Sequence, residues 1–203
     1  MTREASPGVV CLAADERVPG RPFADPEATA HDFDVLAAIR AAQRARFELR
    51  EGPGSWVDRD GAANWLVAPR PAVLSEPEPC LAIGFFGQAR DDVDHGVIVS
   101  LEHAILGRAE TIEGLLSYHN VQLATGQWGN LVLFRAGSET ASSLRAEPDH
   151  AEAVRLAPSH YRSLRLHRGT LPDGPFGRRE VRLATTLYLD FAAAPPWRAI
   201  RTL

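Results

Sequence analysis

From Cys80 to Phe191 the chain sets apolar runs of strand period and helix period in one order, and that order leaves few ways to fold. CLAIGFFG (80–87) reads as a buried strand. The segment 91–108 reads as a helix, with Val97, Leu101, Ala104 and Ile105 on one side. LLSYHNVQLATG (115–126) reads as a strand, and QWGNLVLFRA (127–136) as its antiparallel partner after a tight T-G-Q turn. Helical material over 138–159 is broken at Pro148, a residue suited to the first turn of a new helix. SLRLHRGTL (163–171) is a strand, PDGPFG a loop, and REVRLATTLYLDF (179–191) a long final strand. The tail AAAPPWRAIRTL reads as an arm or an edge cover. The order is β-α-β-β-α-β plus a last strand, the split βαβ arrangement. It predicts an α+β fold with an antiparallel sheet and helices on one face. The other face must be covered, often by a second copy of the sheet, or here by residues 1–78 in its place.

The first part of the chain is less regular. Residues 1–28 are rich in Pro, Gly, Ala and Asp and read as an irregular arm. His31 to Arg50 reads as a helix: Phe33, Leu36, Ile39 and Phe47 recur at near-helical spacing, and EGPG (51–54) stops the run. Trp56 and Trp65 flank a D-G turn in a short hairpin. Pro69, Pro71, Pro77 and Pro79 then punctuate the chain. This predicts an N-terminal extension over residues 1–78, with a helix at 31–50 and a short hairpin, and a ferredoxin-like domain over 79–203.

Composition narrows the chemistry. All 22 basic residues are arginine, and there is no lysine. A P-loop needs a Lys on its phosphates and a PLP enzyme a Lys for its Schiff base, so both classes are excluded. Net charge is -4 with no basic stripe, which argues against nucleic acid. Cys11 and Cys80 are far apart and outside any C-x-x-C, so neither a disulfide scaffold nor a cysteine-rich zinc site is expected. The sequence shows no leader pattern and no apolar run of ~20 residues, which points to the cytoplasm and away from membranes. No G-x-S-x-G, H-E-x-x-H or G-x-G-x-x-G occurs, and no metal site is expected. D-D-V-D-H (91–95) reads as a solvated helix N-terminus.

From residue 80 onward the chain resembles the dimeric α/β-barrel superfamily, which includes antibiotic-biosynthesis monooxygenases, small polyketide cyclases and heme-binding enzymes. The matching features are the strand order, the Trp in QWGNLVLF and the helix opening E-P-D-H-A-E-A before the fourth strand. The resemblance spans roughly the last three-fifths of the chain by element order. It implies a homodimer. In heme-binding members an axial His comes from the helix before the fourth strand, which implies His150 here, with His160 on the same helix as the other candidate. A heme would need an apolar slot, for which Leu144, Val154, Leu156 and Phe134 are candidates.

Side chains alternate across a strand, so parity sorts the candidate site residues. If helices cover the aliphatic face, the opposite face collects Tyr118, Asn120, Gln122, Trp128, Asn130, Arg165 and His167, joined by Arg182, Thr186, Tyr188 and Asp190 of the last strand. Such a face is poor packing material, since an unpaired buried polar group costs about 1–3 kcal/mol. It can be solvated, form a dimer seam, or wall a cavity for a small hydrophobic molecule. On the last reading Tyr118, Gln122, Trp128, Asn130 and Tyr188 bind substrate. Asn120, Gln122 and Arg165 hold carbonyl or oxyanion oxygens, and His167 moves the proton. Asn120, Arg165 and His167 are thus the catalytic candidates. Of the remaining histidines, His119 falls on the apolar face as a core residue, and His31, His95 and His103 read as surface or capping groups. Three functions follow: an enzyme that oxidises or rearranges a hydrophobic metabolite, a heme enzyme, or a non-catalytic ligand-binding or assembly module.

Overall fold

The computed structural model describes residues 8–123, 127–137 and 144–203. Its strands are β1 (Val9–Leu12), β2 (Gly54–Val57), β3 (Ala63–Val67), β4 (Cys80–Ala89), β5 (Leu115–Gln122), β6 (Gln127–Arg135), β7 (Tyr161–Leu171), β8 (Arg182–Asp190) and β9 (Trp197–Thr202). Its helices are α1 (Pro26–Glu48), α2 (Gly96–Gly107) and α3 (Pro148–His160). The strands form one sheet in the order β1-β9-β8-β7-β4-β6-β5-β3-β2. The inner four, β7-β4-β6-β5, carry the β-α-β-β-α-β connections of a ferredoxin-like unit. The sheet is wider than that unit. β8 and β9 extend it on one side, and the β2–β3 hairpin extends it on the other by pairing β3 with β5. The expected T-G-Q turn and the start of the 138–159 helical segment lie outside the described residues.

Several expectations need correction. The arm at 1–28 supplies β1, which pairs in parallel with β9, and its Pro26 already stands in the first turn of α1. The tail is a sheet strand from Trp197 to Thr202. Helices cover both faces, not one. α2 and α3 pack on the face bearing Ile83, Val132 and Phe134, and α1 packs on the face bearing Ala82, Leu131 and Leu133. Of the two covers open for the second face, a further copy or residues 1–78, the chain uses its own α1. Among the described residues no helix is long and apolar enough to cross a membrane.

The seat of α1 follows from two features. Gly84 of β4 has no side chain, and a Cβ there would stand 2.9 Å from a Leu36 methyl, so the helix lies close on the sheet. Beside Leu36 the helix buries Asp32 completely. Asp32 takes both nitrogen arms of Arg165, Nη2 at 2.8 Å, and His167 Nε2 at 2.8 Å. His167 Nδ1 meets the Thr186 hydroxyl at 2.8 Å. One turn earlier Thr29 bonds the Tyr188 hydroxyl at 2.7 Å, and Arg201 Nε donates to the same phenol at 3.1 Å. The buried stripe of α1 is thus mostly polar: Thr29, Asp32, Arg40 and Gln43 beside Leu36 and Ile39. An amphipathic pattern finds Leu36 and Ile39 but passes over Asp32. Arg50, at φ 60°, closes the helix in the left-handed region, and Glu51 N–H bonds Arg46 O at 2.9 Å.

Removing one partner of a buried, hydrogen-bonded ion pair leaves the others desolvated without compensation. Asp32→Ala is therefore expected to lower unfolding free energy by about 3–5 kcal/mol. Asp34→Ala, on the exposed side of the same helix, should change it by less than about 0.5 kcal/mol. Urea titrations followed by circular dichroism compare the two, and equal effects would remove Asp32 from its role in seating α1.

Candidate functional site

The register through β4 divides the residues that parity had placed together. Phe85 pairs with both Asn130 and Leu166, whereas Gly84 pairs with Leu131 and His167. Residues that pair share a face, so Tyr118, Asn120, Gln122, Trp128 and Asn130 stand on the α2 face. Arg165, His167, Thr186 and Tyr188 stand on the α1 face. With both faces covered, each needs aliphatic residues. An aliphatic row therefore does not say which helix it meets.

The α1-face group is tied up in the Asp32 network. His167, Thr186 and Tyr188 are wholly buried: His167 meets Asp32 and Thr186, and Tyr188 meets Thr29 and Arg201. The proton-moving and oxyanion roles expected of His167 and Arg165 required a face shared with Tyr118, and the register separates them. Tyr188 likewise sits away from the other binding candidates. His119 is a buried core residue as expected. Its Nε2 pairs with Asn64 Oδ1 at 3.0 Å, Trp56 packs 5.1 Å away, and burial holds its pKa down to about 4. Cys80 is a buried thiol that desolvation pushes up to about 11.

On the α2 face the remaining candidates converge. A groove of about 780 Å³ opens between the β2–β3 hairpin and α2. Trp65 comes from the hairpin, Asn120 from β5 and Trp128 from β6, while the Trp56 ring at the rim packs on His119 of the other face. From α2 come Val99, Glu102, His103 and Leu106, the i, i+3, i+4, i+7 face of the helix. His103 packs edge-on against Trp65 with ring centroids 4.1 Å apart. Gln122 ends β5 exposed and outside the lining.

Glu102 organises this groove. Tyr118 Oη donates to its Oε1 at 3.0 Å and Asn120 Nδ2 to its Oε2 at 2.7 Å. Asn130 Nδ2 donates to Tyr118 Oη at 2.9 Å, so the phenol's own hydrogen is directed to the carboxyl. Burial pushes the Glu102 pKa up to about 7, against the two donors, which favour the carboxylate. Burial and the neighbouring Glu102 raise Tyr118 well above the ordinary phenol. A half-buried carboxyl that titrates near neutrality can take or give a proton at working pH. The sequence reading passed over Glu102 by following the Val97–Leu101–Ala104–Ile105 stripe. The signal was available one stripe over, where Val99 and Leu106 bracket a glutamate.

The two alternative heme ligands stand at opposite ends of one helix. His150 lies in the first turn of α3 and His160 in its last, about 15 Å apart at helical rise. Of the slot residues, Phe134 and Leu144 are packed in the core while Val154 is 60% exposed. Burial lowers the pKa of both histidines, and His160 packs 5.7 Å from the ring of His95. Among the described residues no group of three His, Cys, Asp or Glu side chains converges as a metal site.

No family model matches the sequence, and no curated protein matches it. Among solved structures the chain is similar to a dimeric ferredoxin-like protein of unknown function from Thermobifida fusca. That likeness has 13% identity and a TM-score of 0.39, covering 48% of this chain and 96% of the other.

The raised Glu102 pKa sets the sign of a stability change. Between about 4.5, the ordinary value, and about 7, the folded state holds a proton that the unfolded chain releases, so stability falls as pH rises through that window. Glu102→Gln should flatten this part of the stability–pH curve, measured by urea unfolding at pH 4.5, 6 and 7.5. Tyr118→Phe removes a donor to the carboxylate and should raise the Glu102 midpoint further, read by carbon NMR of the carboxyl. A midpoint unmoved by Tyr118→Phe would contradict the hydrogen-bond chain.

Proposed function

We propose that the chain is a small-molecule enzyme that rearranges a hydrophobic carbonyl compound by proton transfer at Glu102. The observation that carries this is the Asn130–Tyr118–Glu102–Asn120 chain at the floor of an indole-walled groove. As carboxylate, Glu102 would accept a proton from the carbon next to a substrate carbonyl, and the C–H electron pair would move to form the enolate. Returned to another carbon, the same proton completes an isomerisation that neither gains nor loses atoms or electrons. The Asn120 amide nitrogen carries two hydrogens and gives one to Glu102; the other would serve the enolate oxygen. Val99 and Leu106 would hold the apolar body, and Trp65 and Trp128 would close the walls against water. Of oxidation and rearrangement, the geometry favours rearrangement, because its central group is a carboxyl poised near neutral pH. Asn120, Tyr118, Asn130 and Trp128 keep places in this site; His167 and Arg165 become the framework that holds α1.

Solvent deuterium exchange into a panel of aryl ketones, followed by proton NMR, tests the reading. Wild-type protein should accelerate exchange, with a rate that rises with pH to a plateau above about 7 as Glu102 ionises. The groups facing Glu102 across the groove and core are His103, Tyr118 and Tyr161, and both phenols are raised, so they do not set that limb. Glu102→Gln should cost about 10²–10⁴-fold. Binding of the same ketones with no exchange would instead make the groove a non-catalytic ligand site.

A further inference from the structure

The charge pattern of the groove specifies more than apolar character. The chain carries 22 arginines, yet among the described residues none lines the groove; its ionisable lining groups there are Glu102 and His103. Among the described residues the groups that stabilise the Glu102 carboxylate are neutral donors, Tyr118 and Asn120, with no cation beside them. The hydrogen-bond chain nevertheless runs one way, each donor aimed toward the carboxylate. Each carboxylate oxygen has lone pairs beyond the one that accepts from the protein. A half-buried carboxylate prepared by dipoles but matched by no positive charge is complementary to a cation. Indole faces are the best aromatic surface for such a group, and Trp65 and Trp128 stand in the same lining. A carboxylate- or phosphate-bearing ligand would face Glu102 with no arginine to hold it.

We infer that the groove selects a hydrophobic organic cation, an amine in its ammonium form, with the charged head against Glu102 and the Trp65 and Trp128 indoles and the apolar body along Val99 and Leu106. This rests on the reading of the groove as a ligand site, and it sets the substrate class as an amine-bearing carbonyl compound. Binding a cation also favours the carboxylate over the acid, so a proton leaves Glu102 on binding near neutral pH.

Three probes of similar size separate the possibilities: benzyltrimethylammonium, benzyl alcohol and phenylacetate, titrated against the full chain by tryptophan fluorescence and calorimetry. The ammonium is expected to bind about tenfold or more tighter than the alcohol, with phenylacetate weakest. Calorimetry at pH 6.5 in two buffers of different ionisation enthalpy should show proton release with the ammonium alone. Glu102→Gln should lose that preference and the proton release, and Trp128→Leu, which leaves the charge in place, should weaken the ammonium more than the alcohol. If the alcohol binds as tightly as the ammonium, or phenylacetate binds best, the cation inference fails while the groove remains a ligand site. If none of the three binds wild-type protein, the groove reading falls with it.

Discussion

The contact between Asp32 and the Arg165–His167 pair decides which face of the sheet is sealed by α1. A carboxylate wholly removed from water is tolerable only with its oxygens fully engaged, and here a guanidinium and an imidazole engage them. The network fastens α1 across one face, Gly84 lets the helix lie close, and Thr29 with Tyr188 and Arg201 continues the polar seam toward β9. With that face sealed, polar side chains on it serve as framework. The open groove is left on the other side, between α2 and the β2–β3 hairpin.

A wholly buried and a half-buried carboxyl thus illustrate two solutions to the same cost. Asp32 is paired with the Arg165 guanidinium and the His167 imidazole and holds structure together. Glu102 is supported by neutral donors alone, and its proton comes and goes near neutral pH. The two carboxyls differ in partners as well as in depth of burial.

The hairpin that completes the groove also completes the sheet edge. β3 pairs with β5 so that Trp65 lies opposite Asn120, and Asn64 lies opposite Val121. One indole is thereby set beside the amide that holds Glu102, while the Asn64 amide reaches His119 on the far face. The segment before residue 78 accordingly contributes groove wall, sheet edge and the covering helix.

The sequence by itself determined the β-α-β-β-α-β succession, the D-G hairpin, the helix around Leu36 and Ile39 and its stop near EGPG, because these depend on local periodicity and turn chemistry. It also determined that Tyr118, Asn120, Trp128 and Asn130 share a face, since β5 and β6 are joined by a short connection and parity holds within such a pair. Only the tertiary structure decided that Arg165 and His167 lie on the opposite face. Their register to Asn130 passes through β4, a neighbour distant in sequence, and a shift of one residue there exchanges the faces. It alone decided that Asp32 is an anchor and Glu102 the central group of the groove. A carboxylate on a helix looks solvated in a linear pattern, and only its long-range partners show that it is buried.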